Sequence, residues 1–171
     1  RSQWQVAESA AAAAGRTMRR EDWRLVIPMH IAETREQALA DTREGGARHL
    51  LEYVEAATGR PCPVPGPPEK IVAQMVERGS WVIGTPDDAI ATIEGLQETS
   101  GGFGALLLWA HEWAPWPAVK RSYDLLARYV IPHFQGSLDG IMSSNAIAQA
   151  RATEAHELRT AATQKARDSV V

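Results

Sequence analysis

The stretch WRLVIPMHIAETREQ (Trp23–Gln37) decides the fold class. Its first nine residues, Trp23–Ile31, are nearly all apolar, which is typical of a strand buried on both faces of a parallel sheet. Thr34 then precedes Gln37 by three residues, the spacing of a capping box, so a helix is predicted to begin here. Pro28 has no amide donor, and we expect it at a bulge or at the end of the strand. The stretch therefore predicts a βα unit.

The same alternation of strand and helix recurs further along the chain. The helix from Thr34 is predicted to reach about Ala57, and Thr85 followed by proline and two acids is a second helix start. Five prolines between residues 58 and 68 predict a loop, either a plain spacer or a lid. The other predicted elements are a helix closed by Gly15, a short helix ending at Gly79, an apolar stretch Trp81–Gly84, a strand Phe103–Trp109, a helix from Pro117 to Pro132, and an exposed helix or partly ordered tail over 146–167.

Composition limits the classes of function. The chain has 171 residues, a formal net charge of −3 and 44% hydrophobic residues, so it can bury a core but offers no basic surface for nucleic acid or membrane. The single cysteine, Cys62, excludes an intrachain disulfide framework and a cysteine-based zinc site. The longest apolar run, Ala105–Ala110, is far shorter than the ~20 residues of a spanning helix. We expect a cytoplasmic protein without a metal.

Two good strands do not make a stable parallel sheet, because each is buried on both faces only if further strands lie beside it. The chain begins with Arg1 rather than methionine, and no secretory signal pattern follows. These observations predict the final βα units of a larger α/β protein.

The loop Trp109–Trp116 concentrates the side chains that could carry chemistry. It follows a predicted strand, at the end where α/β barrels place their active-site groups, and it contains His111, Glu112 and three tryptophans. The tryptophans either line an apolar pocket or pack a helix onto the sheet. His30 ends the first strand in the analogous place, as a structural or a functional group.

Three other segments resemble known binding motifs, but each lacks a feature that its motif requires. A zinc protease helix would need a second histidine where Pro115 stands. A phosphate at the helix start after Gly84 would be repelled by Asp87 and Asp88, which we interpret as capping residues. The glycines at 101–104 precede a strand and lack the spacing of a dinucleotide fingerprint.

Three segments in this order resemble one family. Trp23–Ala38 is similar to a late βα unit of the bacterial luciferase-like flavin-dependent monooxygenases, and Val82–Ile90 is similar to a helix opening in their C-terminal part. Phe103–Gly136 resembles the closing unit of the limonene-monooxygenase-like branch, through Ala110–Trp113 and Tyr129–Phe134. The likeness covers residues 1–137, and the remaining 138–171 would form a helical or partly disordered C-terminal tail.

The resemblance implies the C-terminal βα units of a (β/α)8 TIM barrel, incomplete in this chain. Such enzymes bind reduced FMN, supplied by an NAD(P)H-dependent flavin reductase, and use O₂ to oxygenate a small, often apolar, substrate. The early strands and the flavin-phosphate segment would belong to a missing N-terminal half of the barrel, so this chain alone should be inactive. A homodimer is possible in this family. No residue here is assigned to bind the flavin.

The resemblance also suggests roles for six residues. His111 and His30 would be the polar groups near flavin or substrate, and the pocket would be lined by Met29, Trp109, Glu112 and Trp113. Alkanesulfonate-type relatives carry basic and imidazole groups on the first strand, where this chain has Val26 and Pro28, which argues against a sulfonate substrate. Two alternatives stay open: a truncated, non-catalytic remnant that serves as a binding or oligomerisation module, and a deazaflavin-dependent oxidoreductase that transfers hydride.

Overall fold

A computed structural model describes residues 2–109, 111–136 and 139–168. Ala110, which belongs to one of the quoted motifs, and the predicted boundary at residues 137 and 138 lie outside the described residues. The chain divides into two compact units, residues 1–131 and 132–171, and the boundary at 137 stays a prediction. The elements of the first unit are α1 (Ser2–Ala13), a 3₁₀ turn (Arg20–Asp22), β1 (Arg24–Ile31), α2 (Arg35–Arg48) with a π-helical continuation (His49–Ala57), α3 (Pro68–Glu77), β2 (Val82–Gly84), α4 (Pro86–Ser100), β3 (Ala105–Trp109) and α5 (Trp116–Leu125) with a π-helical continuation (Leu126–Val130).

The three strands form one parallel sheet in the order β2-β1-β3. The first half of β1 pairs with β3, from Arg24 opposite Ala105 to Pro28 opposite Trp109. The second half pairs with β2, beginning at Met29. Pro28 thus lies where β1 changes partners, and the strand continues for three residues beyond it. Of the two expectations for Pro28, a bulge or a strand end, the strand end was wrong, because a residue at this changeover does not interrupt either ladder.

The mixed α/β class and the parallel sheet are confirmed, but the strand order differs from that of consecutive barrel strands. Successive strands of a (β/α)8 barrel are neighbours in chain order, whereas here the first strand is central. Among the helices, α2 packs with α3, and α4 packs with the helical turn Leu126–Val130. The closed barrel stays a prediction.

Burial separates β2 from the other two strands. Both α2 and α4 contact β2, and all three of its residues are buried. In contrast, Val26 is 59% exposed, Leu107 49% and Trp109 51%. The register places these three residues on one face, which we call the apolar sheet face. No described element covers this face, so β1 and β3 are not buried on both faces within this chain, and the condition that further strands lie beside them stays a prediction.

Two glycines let α2 approach the rest of the core. A Cβ on Gly46 would lie 2.8 Å from Cγ2 of Val72, and one on Gly45 would lie 2.6 Å from the α-carbon of Trp113. A glycine within a helix normally weakens it, and sequence spacing alone does not show what such a residue packs against. The lack of a side chain at these two positions is what allows the close approach. The buried apolar residues around them are Ala32, Ala38, Ala47, Leu50, Val64, Ile71, Val72, Met75, Trp81, Ile83 and Trp113.

Both predicted helix starts are present, one of them in a modified form. Thr85 caps α4 with a complete capping box, in which Asp88 returns the hydrogen bond to the Thr85 amide at 2.9 Å. Thr34 accepts from the Gln37 amide at 3.1 Å, but the Gln37 side chain donates to Asp41 instead of closing the box. The cap at Thr85 follows the prediction. At Thr34 the box stays open, so the Gln37 side chain is free to bind Asp41.

The helical structure continues past Pro132, contrary to the prediction that it stops there. Helix α6 (Ile131–Gln135) follows directly on the π-helical turn Leu126–Val130, contains Pro132, and ends before Gly136, whose φ is +62°. In the second unit, α7 (Asp139–Ala150) and α8 (Ala152–Asp168) replace the single predicted helix. Within the described residues, no helix is long and apolar enough to cross a membrane.

Candidate functional site

The parallel pairing of β1 and β3 brings most of the predicted site residues together. Pro28 lies opposite Trp109, so the residues that follow each strand lie side by side at the carboxyl edge of the sheet. A narrow cavity of about 20 Å³ opens there, which is room for roughly one water molecule. Five of the six predicted residues line this cavity: Met29, His30, Trp109, His111 and Trp113. Helix α5 contributes three more lining residues, Val119, Ser122 and Tyr123.

A second and wider space adjoins the first. It is an open groove of about 210 Å³ between the end of α2 and the loop after β3. Glu112, the sixth predicted residue, borders this groove, and His111 and Trp113 border both spaces. The structure therefore brings all six predicted residues to two adjoining spaces. The roles assigned to them stay predictions.

Stacked rings form the wall between the two spaces. The His111 and Trp113 rings are almost parallel, at 5° and a centroid distance of 3.9 Å, and Trp81 stacks behind Trp113 at 4.0 Å. Trp113 is only 5% exposed and belongs to the core. Packing and pocket lining were the two interpretations of the loop tryptophans. Both apply to Trp113, which packs in the core and lines the cavity.

His49 is a site residue that the sequence analysis missed. It lies at the junction of α2 with its π-helical continuation, and its ring centroid is 5.0 Å from that of His111 and 6.2 Å from that of Trp109. Tyr53 also stacks on His49, with a centroid distance of 5.5 Å. A histidine within a helical stripe carries no signal of such contacts, because the loop after β3 reaches it only through the fold.

The histidines of this cluster favour the neutral form. Burial, together with repulsion from His49, lowers the pKa of His111 to about 4. Burial also lowers the pKa of His49. Nε2 of His111 and Nε1 of Trp113 are buried and have no hydrogen-bond partner among the described residues. A neutral imidazole and an indole N–H are thus available to bind a ligand beside an apolar wall.

His30 lies at the other side of the narrow cavity in a polar environment. Its side chain is 7% exposed, and Nε2 is 3.3 Å from Oδ2 of Asp41. Burial lowers the pKa of His30, and the neighbouring Asp41 raises it in part. Asp41 in turn accepts from Arg121 at 3.0 Å. Neither Asp41 nor Arg121 was predicted, because their partners lie 11 and 80 residues away.

The N-terminus of α4 is closed to anions, as the sequence indicated. Asp88 pairs with Arg35, whose Nε is 2.8 Å away, and also accepts from the Thr85 amide, and these donors hold the pKa of Asp88 well below its usual range. A phosphate would have to displace this carboxylate. Within the described residues, no group of three His, Cys, Asp or Glu side chains could hold a metal ion.

Comparison with known proteins gives two relatives of similar strength. The chain is 44% identical over 145 residues to 4-hydroxyprotoasukamycin monooxygenase of Streptomyces nodosus subsp. asukaensis, covering 84% of the chain and 38% of that protein. It is 43% identical over 135 residues to limonene 1,2-monooxygenase of Rhodococcus erythropolis, covering 79% of the chain and 34% of that protein. The chain thus spans little more than a third of the length of these relatives. No protein-family model matches it.

Solved structures show a related fold at lower identity. One is the oxygenating constituent of 3,6-diketocamphane monooxygenase from Pseudomonas putida, a type II Baeyer-Villiger monooxygenase in complex with FMN. It matches with a TM-score of 0.57 and 23% identity over 75% of the chain and 38% of its own. The monooxygenase RslO1 of Streptomyces bottropensis matches with a TM-score of 0.56 and 23% identity, over 74% of the chain and 35% of its own.

The fold places the chain in a class of α/β proteins with parallel sheets that includes monooxygenases. Both sequence relatives of the chain are named monooxygenases. The resemblance that the three sequence segments predicted, to the limonene-monooxygenase-like branch of the luciferase-like flavin-dependent monooxygenases, is thereby confirmed.

Proposed function

We propose that the chain is part of a flavin-dependent monooxygenase that uses reduced FMN and O₂ to oxygenate a small apolar organic substrate. The observation that carries this proposal is the identity of 43–44% to two monooxygenases over about four fifths of the chain. We infer from this identity that the residues at the carboxyl edge of the sheet serve a related reaction. The FMN in a structural neighbour supports the choice of cofactor.

The described residues fit one wall of a flavin enzyme's site and not the whole of it. Spaces of about 20 and 210 Å³ are smaller than the 300–1,000 Å³ typical of pockets that enclose a ligand. The N-terminus of α4 is already capped by its own Asp88, so it provides no phosphate site. Bound FMN would supply the redox chemistry, and the residues of this chain would shape the substrate side.

The wall suits an uncharged substrate. Trp109 and Met29 offer apolar surface, and His111 offers a buried Nε2 that has no hydrogen-bond partner among the described residues. Exclusion of water strengthens any hydrogen bond made to that nitrogen. Val26 and Pro28 carry no charge that could pair with a sulfonate. We therefore propose a small apolar molecule with at most one polar group, and limonene, the substrate named for one relative, is a suitable probe.

The apolar sheet face supports the proposal of a larger barrel. Val26, Leu107 and Trp109 are half exposed or more, although strands of a parallel sheet are normally covered on both faces. We propose that further strands of the intact protein cover this face and complete the flavin site, that the chain alone has no turnover, and that a separate NAD(P)H-dependent reductase supplies reduced FMN. A homodimer is part of this proposal.

Isotope labelling of the product tests the function. The intact protein is incubated with FMN, a flavin reductase, NADH and limonene or another small alkene or cyclic ketone under ¹⁸O₂, and the products are analysed by mass spectrometry. We expect one ¹⁸O atom per product and no product without FMN. Turnover that needs a deazaflavin and incorporates no oxygen would support the hydride-transfer alternative. Failure to bind any flavin would support a binding or oligomerisation module.

A further inference from the structure

A chain of charged and polar groups begins at the buried His30 and Asp41 side chains and reaches the surface at Arg121, which is 37% exposed. The side chains of His30 and Asp41 are 7% and 10% exposed, and their closest atoms, Nε2 and Oδ2, are 3.3 Å apart. The same Oδ2 accepts from Arg121 at 3.0 Å, while Oδ1 accepts from Gln37 at 2.6 Å. Arg121 is also 3.3 Å from Glu33. Donors from β1, α2 and α5 thus converge on one carboxylate.

This arrangement determines which nitrogen of His30 carries the proton. A carboxylate only accepts hydrogen bonds, so the Nε2 atom that faces Asp41 must be the donor. In the neutral imidazole the other nitrogen, Nδ1, is then an acceptor. Because Gln37 and Arg121 occupy both oxygens of Asp41, the carboxylate is held in place.

A contribution to the stability of the fold does not by itself explain why this network is present. Charges withdrawn from water lose much of the energy that their attraction returns, and apolar residues of similar size often serve a fold equally well. The network is also placed at the narrow cavity, which His30 lines together with Met29 and Trp109. Its position indicates a task at the site.

We propose that Asp41, held by Arg121, is a positioning residue that keeps His30 as the neutral Nε2–H tautomer and leaves Nδ1 as the hydrogen-bond acceptor for the substrate. The proposal rests on the proposed monooxygenase function for the identity of the ligand. The tautomer itself is a property of this chain and can be measured without turnover.

Nuclear magnetic resonance on the intact protein, selectively labelled with ¹⁵N-histidine, tests the tautomer. The His30→Gln variant identifies the signals of His30 by their loss. We expect the long-range ¹⁵N–¹H pattern of an imidazole that is protonated at Nε2 in the wild-type protein at neutral pH. A pattern with the proton at Nδ1, or an exchanging mixture of the two tautomers, would overturn the proposal without any substitution in the network.

Two substitutions test the positioning with opposite signs. The charged groups that face His30 are Asp41 from α2 and Arg121 from α5, and His111 lines the same cavity from the loop after β3. Asp41→Asn removes the negative charge, so the pKa of His30 should fall further. Arg121→Gln removes the positive charge, so the pKa of His30 should rise.

The control is a charged pair of similar chemistry away from His30. Asp124 pairs with Arg128 at 3.6 Å on the exposed side of α5 and its continuation, so Asp124→Asn should leave the titration of His30 unchanged. Shifts of the same sign in both network variants would indicate a general disturbance and would overturn the proposal. So would a titration that neither variant changes.

The two proposals fail in different ways. A protein that oxygenates its substrate but holds His30 with the proton at Nδ1 would contradict the positioning role only. A protein with the Nε2–H tautomer and opposite shifts, yet no flavin-dependent oxygenation, would contradict the proposed function and leave the positioning of His30 intact. In an active protein, Asp41→Asn should also move the pH profile of kcat/KM in the direction of the His30 pKa.

Discussion

The neutral histidines are the feature on which the site depends at the scale of single residues. Burial holds the pKa of His111 near 4, below the 6.5 of a free imidazole, and lowers the pKa values of His49 and His30 as well. The three rings can therefore meet at one edge of the sheet without accumulating positive charge. An apolar substrate would find hydrogen-bonding groups there that carry no charge.

Acid should destabilise the fold through these rings. Because the folded pKa of His111 lies below the unfolded value, the unfolded state binds more protons between pH 6.5 and about 4. The free energy of unfolding should therefore be highest above pH 6.5 and fall as the pH is lowered through this window. Urea denaturation across the window measures the slope, and His111→Phe should make it shallower.

The matched control for that slope is His156, which lies exposed in α8. His156→Phe should leave the dependence of the free energy of unfolding on pH as it is in the wild-type protein. An unchanged slope in the His111→Phe variant would contradict the burial argument.

Trp109 offers a test of the substrate wall. The ring lines the narrow cavity although half of it is exposed, so a substrate that packs on it would gain apolar contact. We expect Trp109→Ala to raise KM roughly tenfold, since the loss of one ring contact costs about 1.4 kcal/mol. Steady-state kinetics of the intact enzyme measure this. Trp116→Ala, at a ring that is 69% exposed, should change KM little, and equal effects would contradict the assignment.

At the scale of elements, the close approach of α2 to the loop after β3 depends on a glycine. Replacing a helical glycine by alanine usually stabilises a protein by about 0.5–1 kcal/mol. At Gly45 the added Cβ would overlap the carbonyl group of Trp113. We therefore predict that Gly45→Ala lowers the free energy of unfolding by about 1–3 kcal/mol, the usual cost of overpacking, as measured by chemical denaturation.

Gly95 is the control, because it lies within α4 and a Cβ there would meet nothing within 4 Å. Gly95→Ala should stabilise the protein by about 0.5–1 kcal/mol. If both variants were stabilised, α2 and the Trp113 segment would not be in the contact described here.

Local signals predicted most of the elements correctly. Thr34, Thr85 and Gly101 mark helix ends through hydrogen bonds and dihedral angles that involve only neighbouring residues. The π-helical continuation of α2 was not predicted, and the course of β1 at Pro28 was left open between a bulge and a strand end. Both depend on what the segment packs against, which a window of sequence does not contain.

At the scale of the whole molecule, the partners of each strand were beyond the reach of the sequence. Parallel strands far apart in the chain pair without a local signal, so the central position of β1 could not be read from its residues. The residues of the candidate site were predicted more completely than the strand order, since five of the six proposed residues line one cavity. His49, Asp41 and Arg121 were missed because their roles arise from contacts between distant segments.

The apolar sheet face makes a prediction for the intact protein. If further strands cover Leu107, then Leu107→Asp should lower the free energy of unfolding by about 3–5 kcal/mol, because it buries an unpaired charge. Leu158→Asp, at a side chain in α8 that is 65% exposed, should cost little. Denaturation of the two variants side by side measures the difference. A small and equal loss in both would show that the face stays open to solvent.

Binding of reduced FMN to the intact protein is the most direct test of the central claim, that this chain contributes one wall of a flavin monooxygenase. The measurement is an anaerobic titration followed by flavin fluorescence, with a reduced deazaflavin as the parallel ligand. The account predicts saturable binding of reduced FMN at one equivalent per protein and weaker binding of the deazaflavin. Absence of saturable FMN binding, or preference for the deazaflavin, would contradict it.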